Sequence, residues 1–258
     1  MVNLKNYNDV LKLFVIFLTL SLVISCGKQN YHISKIEGKR ITITDNDKED
    51  SLIEKYIKPY REHINKDLNN ILAYCPVTLD KTGEWQSTIG NLMADVTLQR
   101  GNTLFMAREK KNIDLCILNH GGIRSILPKG NVTTRTAYEI MPFENSLVVI
   151  ALKGEQVFEM VDYFIATQKP HPLSGITFTI GKDKVAKNIL IQGKTIKTDA
   201  IYYVATNDYL SNGGDNMVFF KKGLHKFDLD YKLRNILIDY FKEADTIPLI
   251  NDVRVSVE

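Results

Sequence analysis

Apolar residues recur at two spacings along the chain, and the change from one spacing to the other marks out its elements. From Leu52, Ile53, Tyr56, Ile57, Tyr60, Ile64 and Leu68 to Ile71 and Leu72 the interval is three or four, which defines one face of a long amphipathic helix expected to pack on a sheet. A second helix is predicted over 88–99, where Ile89, Leu92, Met93, Val96 and Leu98 are apolar and Gly101 offers a C-terminal stop. Upstream, residues 33–44 alternate around Glu37-Gly38-Lys39 as a hairpin would. Strands are predicted at 113–118, 146–152, 174–180, 188–192, 201–206 and 253–257, with helices at 134–141, 154–166 and 230–243. This order lacks a strict strand-helix-strand rhythm and predicts an α+β fold, a layered mixed sheet with antiparallel pairs, in a single domain over 33–258.

The first 25 residues read as an address. Lys5 and Lys12 lead into an uncharged run from Leu13 to Ile24, shorter than the roughly 20 apolar residues that span a bilayer. Val23-Ile24-Ser25-Cys26 then resembles a bacterial lipobox, in which the Cys26 thiol is the side chain that takes a thioether-linked diacylglycerol. Residues 1–25 are therefore expected to be a lipoprotein signal peptide and 26–32 a tether; a plain signal peptide with an incidental Cys, or an uncleaved anchor, stays open. Gly27 in place of Asp favours an anchor in the outer membrane facing the periplasm. In such an oxidising compartment Cys75 and Cys116 are free to pair. Cys116, however, lies in the apolar run Ile113-Asp114-Leu115-Cys116-Ile117-Leu118, where a cysteine serves as a small core hydrophobe.

Composition narrows the function classes. With 258 residues, 44% hydrophobic and a formal net charge of +3, the chain is an ordinary folded protein without the clustered basic face that nucleic acid requires. His32, His63, His120, His171 and His225 form no HExxH, Asp-x-His or Asn-His-Asp cluster, so neither a zinc protease nor a two-metal phosphoesterase is assembled by motif. A G-x-S-x-G elbow, a Walker A loop and a G-x-G-x-x-G turn are also missing. Asp45-Asn46-Asp47-Lys48-Glu49-Asp50 lacks the glycine and distal glutamate of a calcium loop and reads as a solvated turn with a helix cap. A self-sufficient hydrolase is not expected, nor a cofactor held by this chain.

Two loops and a turn carry the candidate chemistry. Asn119-His120-Gly121-Gly122-Ile123-Arg124 follows the 113–118 strand, its paired glycines allowing close ligand approach beside an amide and a guanidinium fork. Asn207-Asp208-Tyr209-Leu210-Ser211-Asn212-Gly213-Gly214-Asp215 follows the 201–206 strand and adds an aromatic ring and a carboxylate. Met141-Pro142-Phe143-Glu144-Asn145 lies between them, with Phe143 at a strand entrance.

Together with Gly90-Asn91-Leu92, these segments resemble, in order and spacing from about residue 80 to 257, the C-terminal domain of the 5′-nucleotidase / UDP-sugar hydrolase family. In that family the C-terminal domain recognises the substrate, and a separate N-terminal metallophosphoesterase domain carries two metals and the chemistry. The resemblance implies that Phe143 and Tyr209 sandwich a nucleobase, with Tyr209 in place of the more usual Phe. It implies that Asp215 accepts hydrogen bonds from ribose hydroxyls, and that Asn119 and Asn145 contact the base. It implies further that Arg124 steadies a charged or polar part of the substrate, and that Gly121, Gly122 and Asn212 belong to the same site. Departures are His120 where a third glycine is frequent, and Gly83-Glu84-Trp85 with only Lys81 nearby where a further arginine is frequent. Trp85 either lines the pocket or packs on the sheet.

Residues 28–79 are too few for a metallophosphoesterase domain. The expectation is a lipid-anchored nucleoside- or nucleotide-recognition domain of a split 5′-nucleotidase system, with divalent metals only on a separate phosphoesterase partner. A non-catalytic periplasmic nucleoside-binding lipoprotein and a structural lipoprotein with an unused pocket are the alternatives.

Overall fold

The run Ser146-Leu147-Val148-Val149-Ile150-Ala151-Leu152 has no polar alternation because both its faces are covered. It forms strand β4 (Ser146–Lys153) near the middle of a five-stranded sheet. Leu147 and Val149 enter one core together with Cys116 and Ala205; Val148, Ile150 and Leu152 enter the other together with Leu115, Ile117 and Val204. Neighbouring residues of one strand thus serve opposite layers, as the two-residue period of a strand dictates. Each such side chain contributes about 1.5–3 kcal/mol on full burial, so the run strongly favours this central place.

A computed structural model describes residues 4–24, 31–44 and 47–258. The chain divides into two compact units, Met1–Ser51 and Leu52–Glu258. The first holds helix α1 (Leu4–Ile24), and no helix among the described residues is long and apolar enough to cross a membrane. Cys26 lies outside the described residues. The expected hairpin over 33–44 does not form. Residues 31–44 have no regular structure, and Ile33, Ile36, Ile41 and Ile43 are all more than 80% exposed. An isolated pair of strands without a third strand or a packed face is marginal in water.

The second unit opens within helix α2 (Ser51–Leu68), which strand β1 (Ile71–Cys75) follows. Then come helix α3 (Thr88–Glu109), strand β2 (Leu115–Ile117), strand β3 (Gly130–Thr133) and helix α4 (Thr134–Ile140). After β4 follow helix α5 (Gly154–Thr167) and strands β5 (Leu173–Ser174), β6 (Ile176–Ile180), β7 (Ala186–Ile191), β8 (Lys194–Thr195) and β9 (Ile201–Asn207). Helix α6 (Asp208–Ser211), strand β10 (His225–Lys232), helix α7 (Leu233–Glu243) and strand β11 (Val255–Val257) complete it. The central sheet runs β10-β4-β9-β2-β5, a second sheet runs β11-β6-β7-β8, and β1 pairs with β3. Helices α3, α4 and α7 cover one face of the central sheet; α5 and the second sheet cover the other. This is the α+β class that the pattern predicts.

Pairing directions place the site. Strand β9 is parallel to β2 and antiparallel to β4, with Leu115 opposite Val204 and Leu147 opposite Asn207. The C-terminal ends of β2 and β9 and the N-terminal end of β4 therefore share one edge of the sheet. The three candidate segments issue from those three strand ends.

Several boundaries differ from the expectation. The apolar face of α2 does not pack on a sheet: Leu52, Ile53, Tyr56, Tyr60 and Ile64 are each more than half exposed. Ile71 and Leu72 continue its spacing but belong to β1, which pairs with β3. Gly101 does not stop α3, which runs to Glu109 and ends on the left-handed Lys110. A Cβ at Gly101 would meet Leu147 Cδ2 at 2.9 Å, so the glycine lets helix and sheet approach. The helix expected from 230 starts at Leu233, behind strand β10. Cys75 and Cys116 are free and buried.

The C-terminal segment is fastened by Arg254, whose side chain is 5% exposed. Its guanidinium donates to Asp95 Oδ2 at 2.6 Å, to Asp252 Oδ2 at 2.8 Å, and to the carbonyls of Asn91 and Leu173. It thereby links β11 to α3 and β5. Removing one partner from such a network leaves the others desolvated and unpaired. An Arg254→Leu substitution is expected to cost about 3 kcal/mol, read as a lower urea midpoint at unchanged slope.

Candidate functional site

Asn207 closes strand β9 and caps α6, its Oδ1 accepting the Leu210 N–H at 2.8 Å. That cap starts a single helical turn which presents Tyr209. The chain then reverses through Gly213, and Asp215 takes left-handed backbone angles, φ 50° and ψ 27°. A Cβ at Gly214 would lie 2.5 Å from the Tyr209 ring, so only glycine lets the ring fold back over the turn. The Asp215 conformation is held from three sides. Its carbonyl accepts from Tyr163 Oη at 2.7 Å, its N–H donates to Tyr209 Oη at 3.2 Å, and its carboxylate accepts from Tyr209 Oη at 2.9 Å and Asn119 Nδ2 at 2.8 Å.

The β2 loop meets it there. Asn119 is 7% exposed; its amide nitrogen donates one hydrogen to Asp215, while Oδ1 is buried without a partner. Arg124 donates to the Gly121 carbonyl at 3.2 Å, and its guanidinium carbon lies 5.9 Å from the Phe143 ring centroid. Phe143 sits on the turn before β4, and that turn is gripped by the junction of β10 and α7. Arg234 donates to the Phe143 carbonyl at 3.4 Å, pairs with Glu144 and stacks 4.1 Å from the Tyr138 centroid. Lys232 Nζ donates to the Glu144 carbonyl at 2.8 Å, and the Leu233 N–H to the Asn145 carbonyl at 3.0 Å. The paired Arg234 holds the Glu144 carboxyl below its usual range.

One cavity of about 370 Å³ results. Asn119, Gly121, Gly122 and Arg124 line it from the β2 loop, Phe143 and Asn145 from the turn, and Tyr209 and Asp215 from the β9 loop. Phe143 and Tyr209 are 41% and 46% exposed, so neither side chain is consumed by the core. Asn212 is not in this lining; its N–H closes α6 onto the Asp208 carbonyl. Trp85 packs against Phe164, with centroids 6.2 Å apart, as part of the core. Lys81 lies near enough to Arg124 that burial and this second cation both lower its pKa.

Residues 70–222, more than half of the chain, match the family model described as 5′-nucleotidase, C-terminal domain. The chain belongs to the 5′-nucleotidase C-terminal domain family. It is 25% identical over 221 residues to the trifunctional nucleotide phosphoesterase protein YfkN of Bacillus subtilis, which covers 79% of this chain and 15% of that protein. It is 24% identical over 189 residues to a 5′-nucleotidase of Vibrio cholerae, covering 69% and 32%. The fold is shared with the 5′-nucleotidase precursor of Thermus thermophilus, at a TM-score of 0.68, 22% identity, and coverage of 80% of this chain and 43% of that one. The chain thus spans about a third or less of the two curated relatives.

Within this 5′-nucleotidase C-terminal domain, four side chains around the site carry no motif signal. Arg234 is one, acting on Phe143 from the far end of the sequence. Tyr163, Lys169 and His171 are the others, and a histidine between Pro170 and Pro172 was the available cue. His171 is 3% exposed, and its Nδ1 accepts the His120 N–H at 3.2 Å. Burial pushes its imidazole down to about 4, against the pull of Asp215 and with the aid of His120 and Lys169. His120 is lowered as well, by burial first and then by Lys81 and Lys169. Among the described residues no group of three or more His, Cys, Asp and Glu is placed to hold a metal ion.

The buried neutral His171 makes stability depend on pH. The unfolded ring takes up its proton near pH 6.5 and the folded ring only near 4. Stability therefore falls as pH drops through this window and levels off below it, by about 3 kcal/mol between pH 7 and pH 4. Urea midpoints across that range are expected to lose this slope in His171→Gln; an equal slope in the variant would assign the effect to other groups. The two loop glycines also differ. A Cβ at Gly122 would meet Asn119 Oδ1 at 2.8 Å, whereas one at Gly121 meets nothing closer than 3.7 Å. Gly122→Ala is expected to cost about 1–3 kcal/mol and Gly121→Ala far less, as compared by thermal melting.

Proposed function

We propose that this chain is the nucleoside-recognition part of a 5′-nucleotidase whose phosphate ester hydrolysis is carried out by a second, metal-holding polypeptide. The observation that supports it is the convergence of Phe143, Tyr209, Asn119 and Asp215 on one cavity from three separate strand ends. A flat base stacks on the two rings, each contact contributing about 1–3 kcal/mol with little preference among bases. Asn119 Oδ1, buried and unpartnered, accepts a hydrogen bond from a base N–H, which removes the penalty of leaving it orphaned. Asp215 already accepts two hydrogen bonds and still has lone pairs for ribose hydroxyls. Arg124 supplies a fork of donors for a charged or polar substituent. Metal-activated water and clamped phosphoryl oxygens come from the partner, as hydrolysis of a phosphate ester requires. In the same reading Cys26 is lipidated and tethers the chain to the outer membrane on its periplasmic side.

Titration of the purified chain with adenosine and AMP by calorimetry tests this. The parent is expected to bind both, and Phe143→Ala or Tyr209→Ala to weaken binding about 10-fold or more, as loss of one stacking contact predicts. Tyr209→Phe keeps the ring and is expected to retain most of the affinity. A parent chain that binds neither ligand would end the proposal, and metal-dependent AMP hydrolysis by the chain alone would end its division of labour.

A further inference from the structure

Behind the base cleft lies a second cavity of about 370 Å³, which shares Gly121 and Asp215 with the first. His120, Tyr163, Thr167, Lys169, His171 and Asn216 complete its lining. Asp215 is the partition between the two. The groups bonded to its carboxylate, Asn119 and Tyr209, line the base cleft, whereas the group bonded to its carbonyl, Tyr163, lines the second cavity. The hydrogen bonds to the carboxylate thus come from the cleft side, although its charge is also felt by Tyr163 and His171 in the second cavity.

The second cavity has unspent hydrogen-bonding capacity. His171 Nδ1 accepts the His120 N–H, so the hydrogen of the neutral ring is on Nε2; that atom is buried and makes no full hydrogen bond, although the Leu118 backbone acts weakly on the ring. His120 Nδ1 is likewise buried and unpartnered. Lys169 brings a full positive charge into the lining. The Thr167 hydroxyl donates back to the carbonyls of Tyr163 and Phe164 within its own helix. An apolar occupant would leave Nε2–H unsatisfied, and a metal ion would meet a protonated nitrogen and an ammonium group. An anion with several acceptor oxygens meets the ammonium and the Nε2–H donor together, and hydrogen bonds of this charged kind are the strong ones.

We propose that this cavity is a phosphate subsite, placed to take a phosphate borne on the 2′ or 3′ oxygen of a ribose whose base lies between Phe143 and Tyr209. The inference rests on the nucleoside reading given above, because it needs Asp215 at the ribose hydroxyls. A substituent on the oxygen that Asp215 reads then extends past the partition toward Lys169 and His171.

Calorimetry with the full chain compares adenosine, 2′-AMP, 3′-AMP, 5′-AMP and inorganic phosphate. The 2′ or the 3′ isomer is expected to bind at least tenfold more tightly than adenosine, and the 5′ isomer to lack that gain. Lys169 is exposed, so Lys169→Ala keeps the fold; it is expected to reduce the ratio of adenosine Kd to 2′- or 3′-AMP Kd to about one, and His171→Gln to do the same. Equal affinities for adenosine and both isomers, or a gain that survives Lys169→Ala, would overturn the proposal. In parallel, NMR of the histidine rings follows inorganic phosphate, which is expected to shift His171 in the parent and not in Lys169→Ala. If no nucleoside binds yet phosphate shifts His171, the nucleoside reading fails and the cavity is a site for free phosphate. If neither binds, both readings fail.

Discussion

The site depends on the pairing of β4 with β9. Seven residue pairs hold these strands antiparallel, from Leu147 opposite Asn207 to Lys153 opposite Ile201. The direction of that pairing sets the entrance of β4 beside the exit of β9, and the parallel β2 brings the Asn119 loop to the same edge. Both faces of these strands are buried, so a slip of one residue would exchange the two cores and is strongly resisted. The positions of Phe143 and Tyr209 are therefore fixed by hydrophobic burial well away from any ligand.

On that frame, short polar contacts set the chemistry. Asp215 adopts a backbone conformation uncommon for a residue with a side chain, and Tyr163, Tyr209 and Asn119 together hold it there. The same contacts divide its polar atoms between two cavities. Arg234 performs a similar service for Phe143, tying the turn to α7 so that the ring is presented without being buried. Neither Arg234 nor Tyr163 lines the first cavity, yet both orient residues that do.

Much of the architecture was legible because apolar spacing reports burial directly. Strands β4, β7 and β9 and helices α4 and α5 fall within a few residues of their predicted ranges, since each has a continuous or strongly periodic apolar pattern. Failures came where the spacing was right but the apolar side chains stay exposed. The alternation over 33–44 and the face of α2 have the right periods, and both remain exposed. Gly101 misled because a glycine that ends a helix and one that permits close packing look alike in sequence. The eight residues lining the first cavity were legible as a group because they cluster in three short segments, whereas Asn212 shared a segment without reaching the cavity.

The sequence by itself determined which residue types were available at each strand end. Local spacing carries that information, because glycines, amides and rings within one loop must lie close together. Tertiary structure alone decided that Asp215 stands between two cavities, and that His171 and Lys169 share the second one with it. Lys169 and His171 lie more than 40 positions before Asp215, and only the packing of α5 and the segment after it against the β9 loop brings all three to one cavity. Burial then leaves the His171 ring neutral with an unspent donor, a property of its surroundings that no neighbouring residue in the chain could reveal.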